Sequence, residues 1–230
     1  MGTGRQKLGP EALLDAAAIL IDEHGIDQVS LNQINQASGH RNRSAVHYHF
    51  GSRDAVVREL LERTMRSVDQ ERNILLDHIE GSDESRSARD VLRVLVEPVC
   101  RQLRTVEGRR YLRLCAQVVN HPRFLPDASE VLQATESLRR CAALLAPTMT
   151  PLPPEVAIER RSQVVAFMIR ALADQARLMD AEPPPRPRMD IAEFSANLID
   201  VLLAILNAPT SVAPVGTVTA RDVRKATSSA

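Results

Sequence analysis

Apolar residues recur at the three- and four-residue spacing of an α-helix along most of this 230-residue chain. The first such segment runs from Pro10 to His24, with proline suited to a first helical turn and Gly25 suited to a helix end. No segment of useful length alternates every two residues as a half-buried strand does, and no internal repeat is present. The sequence therefore predicts an all-α fold with no sheet to carry a nucleotide.

Proline, glycine and polar stretches divide this pattern into about nine helices. Ser30 and Gln33 form a capping box that starts a short second helix ending near Ala37. Gly39 suits a tight turn before a third short helix from Asn42 to His49. The other predicted helices start after Ser52 and run to Gly81, then span 88–105, 107–120, 127–146, 154–181 and 190–207.

These helices group into three parts along the chain. Residues 1–51 hold two short helices across a glycine-containing turn, which predicts an N-terminal three-helix domain with a helix-turn-helix. Residues 52–208 predict a larger C-terminal helical bundle, entered through one long connecting helix. Residues 209–230 are rich in Ser, Thr, Ala and Val, and we expect this tail to be disordered.

Composition excludes several classes of protein. With 29 basic and 29 acidic residues the formal net charge is zero, so affinity for DNA requires locally clustered charge. Cys100, Cys115 and Cys141 are widely spaced and lack a CxxC pair, which indicates buried reduced thiols. The chain has no apolar run of about 18 residues and no signal-peptide core, so we expect a cytoplasmic protein without a membrane partner.

Catalysis and metal binding find no support in the sequence. No GxSxG, HExxH, P-loop or dinucleotide-binding glycine pattern occurs. The carboxylate pairs Asp22-Glu23 and Asp83-Glu84 sit at a helix end and in a loop, where a solvated surface is the ordinary explanation. His47 and His49 are two residues apart and so diverge on a helix. We therefore expect no enzyme, no metal and no cofactor.

The segment between Asp27 and Asp54 contains no acidic residue, and its basic and amide side chains suit DNA. Guanidinium groups donate to phosphate or guanine, amides can read adenine, and a tyrosine hydroxyl can donate to phosphate. Helical geometry turns Val46 and Phe50 into the domain core. The residues expected to face DNA are Arg5 and Lys7 in an N-terminal arm, then Gln33, Arg41, Asn42, Arg43, Ser44, His47, Tyr48 and Arg53.

The order of residues in this segment resembles the helix-turn-helix of the tetracycline-repressor (TetR) family of bacterial regulators. The resemblance covers about residues 10–60 and rests on Ser30-Leu-Asn-Gln-Ile34, Ala37, Gly39 and Ser44-Ala-Val-His-Tyr-His-Phe50-Gly-Ser-Arg-Asp-Ala-Val-Val57. It implies that the third helix enters the major groove of a palindromic double-stranded DNA operator. His47 falls where the family usually has a tyrosine that touches the DNA backbone, with Tyr48 beside it, and the sequence leaves open which of the two meets phosphate.

The same resemblance implies a homodimer and a repressor that an unknown small-molecule effector releases from DNA. The expected dimer interface comprises Val164, Met168, Leu172, Phe194, Leu198, Leu202 and Ile205, although periodicity alone fits a core within one chain nearly as well. The expected effector pocket comprises Gln117, Asn120, His121, Arg170 and Gln175, for which surface or interhelical positions remain the alternative. A helical protein-interaction module without specific DNA binding remains the alternative for the whole chain.

Overall fold

The computed structural model describes residues 9–39, 45–81, 87–119, 121–124, 135–148 and 152–212. These residues form nine α-helices and no strand, which confirms the all-α prediction. The helices are α1 Pro10–His24, α2 Leu31–Ala37, α3 Ala45–Phe50, α4 Arg53–Glu80, α5 Ala88–Cys100, α6 Val106–Val119, α7 Glu136–Leu145, α8 Pro154–Asp180 and α9 Ile191–Asn207. Short 3-10 helices occupy Ile26–Gln28, Arg101–Arg104 and Ala146–Thr148.

Local capping sets the start of the helices. The Ser30 hydroxyl accepts from the Gln33 amide at 3.3 Å, and the Gln33 side-chain oxygen accepts from the Ser30 amide at 2.8 Å, so the predicted capping box at α2 is present. Ser52 caps α4 by accepting from the Ala55 amide at 3.1 Å. Both caps hold the chain at the two ends of the predicted helix-turn-helix.

The fifth helix is shorter than expected: α5 ends at Cys100 and continues as a 3-10 helix to Arg104. Pro98 lies inside α5 and has no N–H to donate to the preceding turn, which favours this early end. The predicted start of the third helix at Asn42, part of the predicted helix over 127–146 and most of the predicted tail lie outside the described residues.

Two apolar cores organise the chain. The C-terminal core is built by α4 to α9, with fully buried side chains such as Leu76, Leu92 and Leu172. The N-terminal core joins α1, α2 and α3 to the first turns of α4, where Val56, Val57 and Leu60 are buried. These α4 residues extend the N-terminal core past residue 51, because the three short helices cannot cover their apolar faces without them.

Helix α6 contributes to both cores. Leu112 is buried in the C-terminal core, whereas Leu114 and Val118 are buried in the N-terminal core against α1. One helix of the larger half thus fills part of the core of the smaller half.

The predicted dimer stripe lies inside this chain. A periodic apolar pattern predicts burial but does not identify the partner. In this fold the stripe packs mainly on α5 and α6 of the same chain. These side chains are therefore covered largely within the chain itself, and their assignment to a dimer interface stays a prediction that burial in one chain does not support. Six of its residues are buried in the chain's own core and the seventh packs against that core: Val164, Met168, Leu172, Phe194, Leu198, Leu202 and Ile205. The faces of α8 and α9 that stay exposed carry other residues, among them Ala166, Phe167, Ala196 and Ala204.

Candidate nucleic-acid interface and its junction with the C-terminal half

Helix α3 is fixed to α2 by a buried amide side chain. Asn35 is only 4% exposed, and its Oδ1 accepts from the backbone N–H of Val46 at 3.1 Å. An N–H in the first turn of a helix has no partner within that helix, so this bond stabilises the start of α3. The Ser38 hydroxyl donates to the carbonyl oxygen of Asn35 at 2.9 Å and tightens the turn that follows α2.

The outer face of α3 presents three consecutive exposed side chains. Val46 is fully buried and Phe50 packs on the N-terminal core, as expected from helical geometry. His47, Tyr48 and His49 are exposed, and Tyr48 is 83% exposed, with its ring 5.2 Å from that of His49 in an edge-on arrangement. The two rings thus stand on the surface with donors and acceptors that face solvent.

The end of α3 requires glycine. Gly51 has a φ of 74°, a backbone region that disfavours a side chain, and its N–H donates to the carbonyl oxygen of His47 at 2.9 Å. The chain then turns directly into α4, so the exposed face of α3 is held between two capped ends.

Two predicted DNA-facing residues have structural partners. Gln33 is exposed, but its side-chain oxygen serves the α2 capping box. Arg53 donates from Nη1 to the carbonyl oxygen of Asp27 at 2.9 Å and from Nη2 to Asp27 Oδ1 at 3.3 Å. Arg53 therefore closes the N-terminal domain rather than standing free for phosphate. The predicted residues Arg5, Lys7, Arg41, Asn42, Arg43 and Ser44 lie outside the described residues.

Two residues predicted for an effector pocket lie instead at the junction between the halves. The Gln117 side-chain oxygen accepts from the Ile26 N–H at 3.0 Å, and His121 Nε2 lies 3.0 Å from Asp27 Oδ2. The hydrogen bond with His121 lowers the pKa of Asp27 below its ordinary value. Both residues hold α6 against the segment after α1, because their polar groups find partners across the junction.

A partly buried ion-pair network strengthens this junction. Arg113 donates from Nε to Asp22 Oδ1 and from Nη2 to Asp22 Oδ2, each at 2.6 Å. Its Nη1 lies 2.5 Å from Asp180 Oδ2, and Arg109 Nε lies 2.7 Å from Asp180 Oδ1. The Arg113 and Asp22 side chains are 13% and 16% exposed. The interpretation of Asp22 as a solvated surface residue was therefore wrong, and the network links α1, α6 and α8.

The C-terminal half contains an apolar cavity of about 130 Å³ between α4, α5, α6, α7 and α8. Its walls are formed by Leu61, Met65, Val68, Arg72, Leu95, Val99, Tyr111, Leu112, Cys115, Leu138, Val165, Met168, Ile169 and Leu172. Burial raises the pKa of the Cys115 thiol to about 12, so this cysteine stays a neutral part of the wall.

The other predicted effector residues do not line this cavity. Arg170 is exposed and its Nε donates to Asp174 Oδ2 at 2.9 Å. Gln175 is buried and donates from Nε2 to the carbonyl oxygen of Met189 at 3.4 Å. Arg170 thus pairs within α8, and Gln175 pairs with the segment before α9, a partner that sequence spacing does not reveal. Asn120 lies outside the described residues.

In the part of the chain that the structure describes, no group of three or more His, Cys, Asp and Glu side chains could hold a metal ion. In the same part of the chain, every helix is too short or too polar to cross a membrane.

A short exposed helix, capped at its end and fixed to a second helix by a buried amide side chain, is the architecture of a helix-turn-helix DNA-binding protein. Residues 13–60 match the family model described as "Bacterial regulatory proteins, tetR family". Residues 93–204 match the model described as "Tetracyclin repressor-like, C-terminal domain". The chain belongs to the TetR family and is a DNA-binding transcriptional regulator.

Solved structures share the fold at low sequence identity. The repressor SmeT of the Stenotrophomonas maltophilia multidrug efflux pump SmeDEF is 20% identical, with a TM-score of 0.55 over 90% of this chain and 98% of its own. The fatty acid degradation regulator FadR from Bacillus halodurans is 16% identical, with a TM-score of 0.57 over 88% and 100%. AmtR from Mycobacterium smegmatis is 19% identical, with a TM-score of 0.54 over 87% and 88%. No curated protein sequence matches the chain.

Proposed function

We propose that this regulator is a repressor that binds a palindromic operator as a homodimer and leaves it when a small molecule binds its C-terminal half. The observation that carries the proposal is α3, whose exposed His47, Tyr48 and His49 stand on a helix fixed from both ends. The proposed operator lies in chromosomal DNA, which agrees with the cytoplasmic location that we expect from the sequence. The likeness to SmeT, the repressor of a multidrug efflux pump, supports repression over activation.

The proposed DNA contacts come from the exposed face of α3 and the segment before it. His47 and Tyr48 reach the backbone, and Arg41, Asn42, Arg43 and Ser44 supply further donors, with Gln33, Arg5 and Lys7 at the edges. We assign Arg53 a positioning role, because its guanidinium is held by Asp27.

Helix α6 provides the route from effector to operator. Tyr111, Leu112 and Cys115 line the cavity, and Arg113 and Gln117 on the same helix hold α1 and the turn after it. A molecule that fills the cavity therefore presses on the helix that positions the DNA-binding domain. To release DNA, the molecule must bind the DNA-incompetent arrangement more tightly, typically by about 1–3 kcal/mol.

The first test is a mobility shift with the DNA that flanks the protein's own coding sequence, at two salt concentrations and with random-DNA competitor. We expect a shift that resists the competitor, has the stoichiometry of a dimer and weakens steeply with salt, because each phosphate contact releases condensed counterions. A complex that is insensitive to salt contradicts the proposed phosphate contacts.

Substitution of Tyr48 tests α3 as the reading helix. Tyr48→Ala should weaken operator binding by about tenfold, the loss expected for one good contact, and leave thermal stability unchanged because the ring is 83% exposed. The matched control is Ile74→Ala, which removes another exposed apolar side chain, 63% exposed on α4. The double variant Arg41→Ala, Arg43→Ala should weaken binding further. If Tyr48→Ala and the double variant both bind the operator as tightly as the wild type does, another element of the protein contacts the DNA.

A further inference from the structure

Arg72 is a charged side chain in the wall of the apolar cavity. It lies on α4, is 5% exposed, and has Val68 and Leu76 one turn before and after it in the buried face of the helix. Its Nη2 and Nε donate to the carbonyl oxygen of Leu95 on α5 at 2.7 Å and 3.1 Å. A guanidinium has five N–H donors, so this single acceptor leaves most of its capacity unused.

No carboxylate among the described residues forms a salt bridge with Arg72. Asp69 is the acidic group that acts on it electrostatically, but its oxygens are engaged elsewhere: Oδ1 accepts from the Ser137 N–H at 3.0 Å and Oδ2 from Asn73 Nδ2 at 3.3 Å. Burial lowers the pKa of Arg72, yet arginine remains protonated in proteins. A buried positive charge without a salt-bridge partner is unfavourable, and an anion that enters the cavity and binds the guanidinium offsets this penalty.

The remaining walls suit an apolar body. Every other lining residue is apolar except Tyr111 and Cys115, and the Tyr111 hydroxyl interacts electrostatically with Arg72. A cavity of about 150 Å³ holds one benzene molecule, so this cavity of about 130 Å³ accommodates about six carbon atoms. A second apolar space of about 40 Å³ adjoins it, with Leu95, Leu138 and Val165 in the walls of both.

We propose that this cavity binds a small monocarboxylate of about six to eight carbons in total, with its anionic head on Arg72 and its apolar chain between α4, α5, α7 and α8. The Tyr111 hydroxyl, which hydrogen-bonds to the Cys115 thiol, supplies a second donor when it turns to the carboxylate. The binding site stands on its own observations, and only the role of the monocarboxylate as effector rests on the proposed function.

Such a ligand would act on the two helices that lead to the DNA-binding domain. The carboxylate meets Arg72 on α4, the helix that begins at Arg53 directly after the reading helix, and it meets Tyr111 on α6, which packs on α1. One head group therefore contacts both connections between the halves.

A ligand series on the wild-type chain tests the site. Octanoate, 1-octanol and octylamine share one apolar tail and differ in head-group charge at neutral pH. Titration calorimetry should show octanoate binding at least tenfold more tightly than 1-octanol, with no detectable binding of octylamine. Octanoate should also raise the Tm of the protein, because it binds the folded state. Equal affinities for octanoate and 1-octanol, or no octanoate binding, would overturn the proposal.

Two variants on α4 test whether octanoate binding depends on the charge of Arg72 or on the loss of any arginine from this helix. Arg72→Met keeps an apolar side chain of similar length and should weaken octanoate at least tenfold while it retains 1-octanol binding. Arg66→Met is the control, since the Arg66 side chain is 67% exposed outside the cavity, and should bind octanoate as the wild type does. Unchanged octanoate affinity in Arg72→Met would overturn the proposal. If that variant does not fold, the ligand series on the wild type still decides.

Operator release is measured separately, by adding octanoate to the mobility shift. Binding together with release supports both the site and its regulatory role. Binding with the expected dependence on Arg72 but without release supports the site and contradicts its role as the effector pocket of the proposed repressor.

Discussion

Gly108 in α6 marks the closest approach between two backbone segments. A Cβ built at this position would lie 2.1 Å from the carbonyl oxygen of Gln102 and 2.9 Å from its Cα. Both atoms belong to the backbone of the short 3-10 helix before α6, so neither can move aside as a flexible side chain does. The position therefore requires glycine for space, although it lies within a regular helix.

Gly108→Ala should destabilise the protein by about 1–3 kcal/mol, the typical cost of forcing extra volume into a packed site. Urea unfolding followed by circular dichroism measures this change. Gly9→Ala serves as the control, because nothing lies within 4 Å of a Cβ at that position, and it should change stability by less than about 1 kcal/mol. A loss in Gly108→Ala no greater than in Gly9→Ala would contradict the close approach.

At the level of residues, the sequence predicts what local geometry determines. The burial of Val46 and the exposure of Tyr48 both follow from helical spacing alone. The partners of Gln117 and His121 do not, because they lie 91 and 94 residues away along the chain. The burial of Arg72 could have been predicted, but the sequence analysis missed it. Arg72 lies four positions after Val68 and four before Leu76, in the middle of an apolar stripe.

Among the elements, α6 packs on both α1 of the N-terminal domain and α8 of the C-terminal bundle. Its Arg109 and Arg113 are four residues apart and so share one face, which meets the end of α8 through Asp180. Partial burial raises the pKa of Asp180, but the hydrogen bonds from Arg109 and Arg113 outweigh that effect and hold the pKa below its ordinary value of 3.8.

The contribution of Asp180 to stability should depend on pH. Because its pKa is lowered on folding, the carboxylate stabilises the fold above its ordinary pKa of 3.8 and loses this effect as the pH falls through the lower folded value. Asp180→Asn should cost about 1 kcal/mol at neutral pH, a modest value because the side chain is 33% exposed. Urea unfolding should show a constant difference from wild type between about pH 5 and 8 that shrinks below about pH 4.

Asp174→Asn is the control for this measurement, since Asp174 is 43% exposed and pairs with Arg170 and Arg177 on its own helix. It should have a smaller effect on stability. A difference between wild type and Asp180→Asn that grows as the pH falls would refute the assigned direction of the pKa shift.

Helix ends were predictable where a capping residue specifies them. Ser30 and Gln33 specify the start of α2, and Pro10 and Gly25 frame α1 within the observed bounds. The end of α5 was placed too late, because apolar spacing continues through Leu103 in the 3-10 helix. Side chains at three- and four-residue spacing look similar in both kinds of helix, so spacing alone does not distinguish them.

At the scale of the whole molecule, the sequence left open whether the apolar stripe on α8 and α9 packs within the chain or against a second copy. The stripe on α8 and α9 was read as a surface for a second copy, and the chain uses it to bury these helices against itself. A dimer through the same two helices must therefore use their outer faces, where Phe167 remains 43% exposed beside Ala166.

Phe167→Arg tests that surface. If the outer faces of α8 and α9 pair in a dimer, a buried unpaired charge there should weaken dimerisation by more than tenfold, as measured by sedimentation equilibrium, and operator affinity should fall with it. Ile74→Arg is the matched control on α4, where the replaced side chain is 63% exposed away from the proposed interface. An unchanged dimer in Phe167→Arg would place the interface on another face.

The sharing of α6 between two cores limits how this regulator can be recombined with its relatives. A chimaera joined at residue 51 would bring Leu114 and Val118 of one parent against the α1 side chains of another, and would separate Asp22 from Arg113. The exchangeable module is therefore discontinuous: residues 10–60 together with the α1-facing side of α6. Sensor swapping in this scaffold should succeed when both pieces are transplanted as one unit.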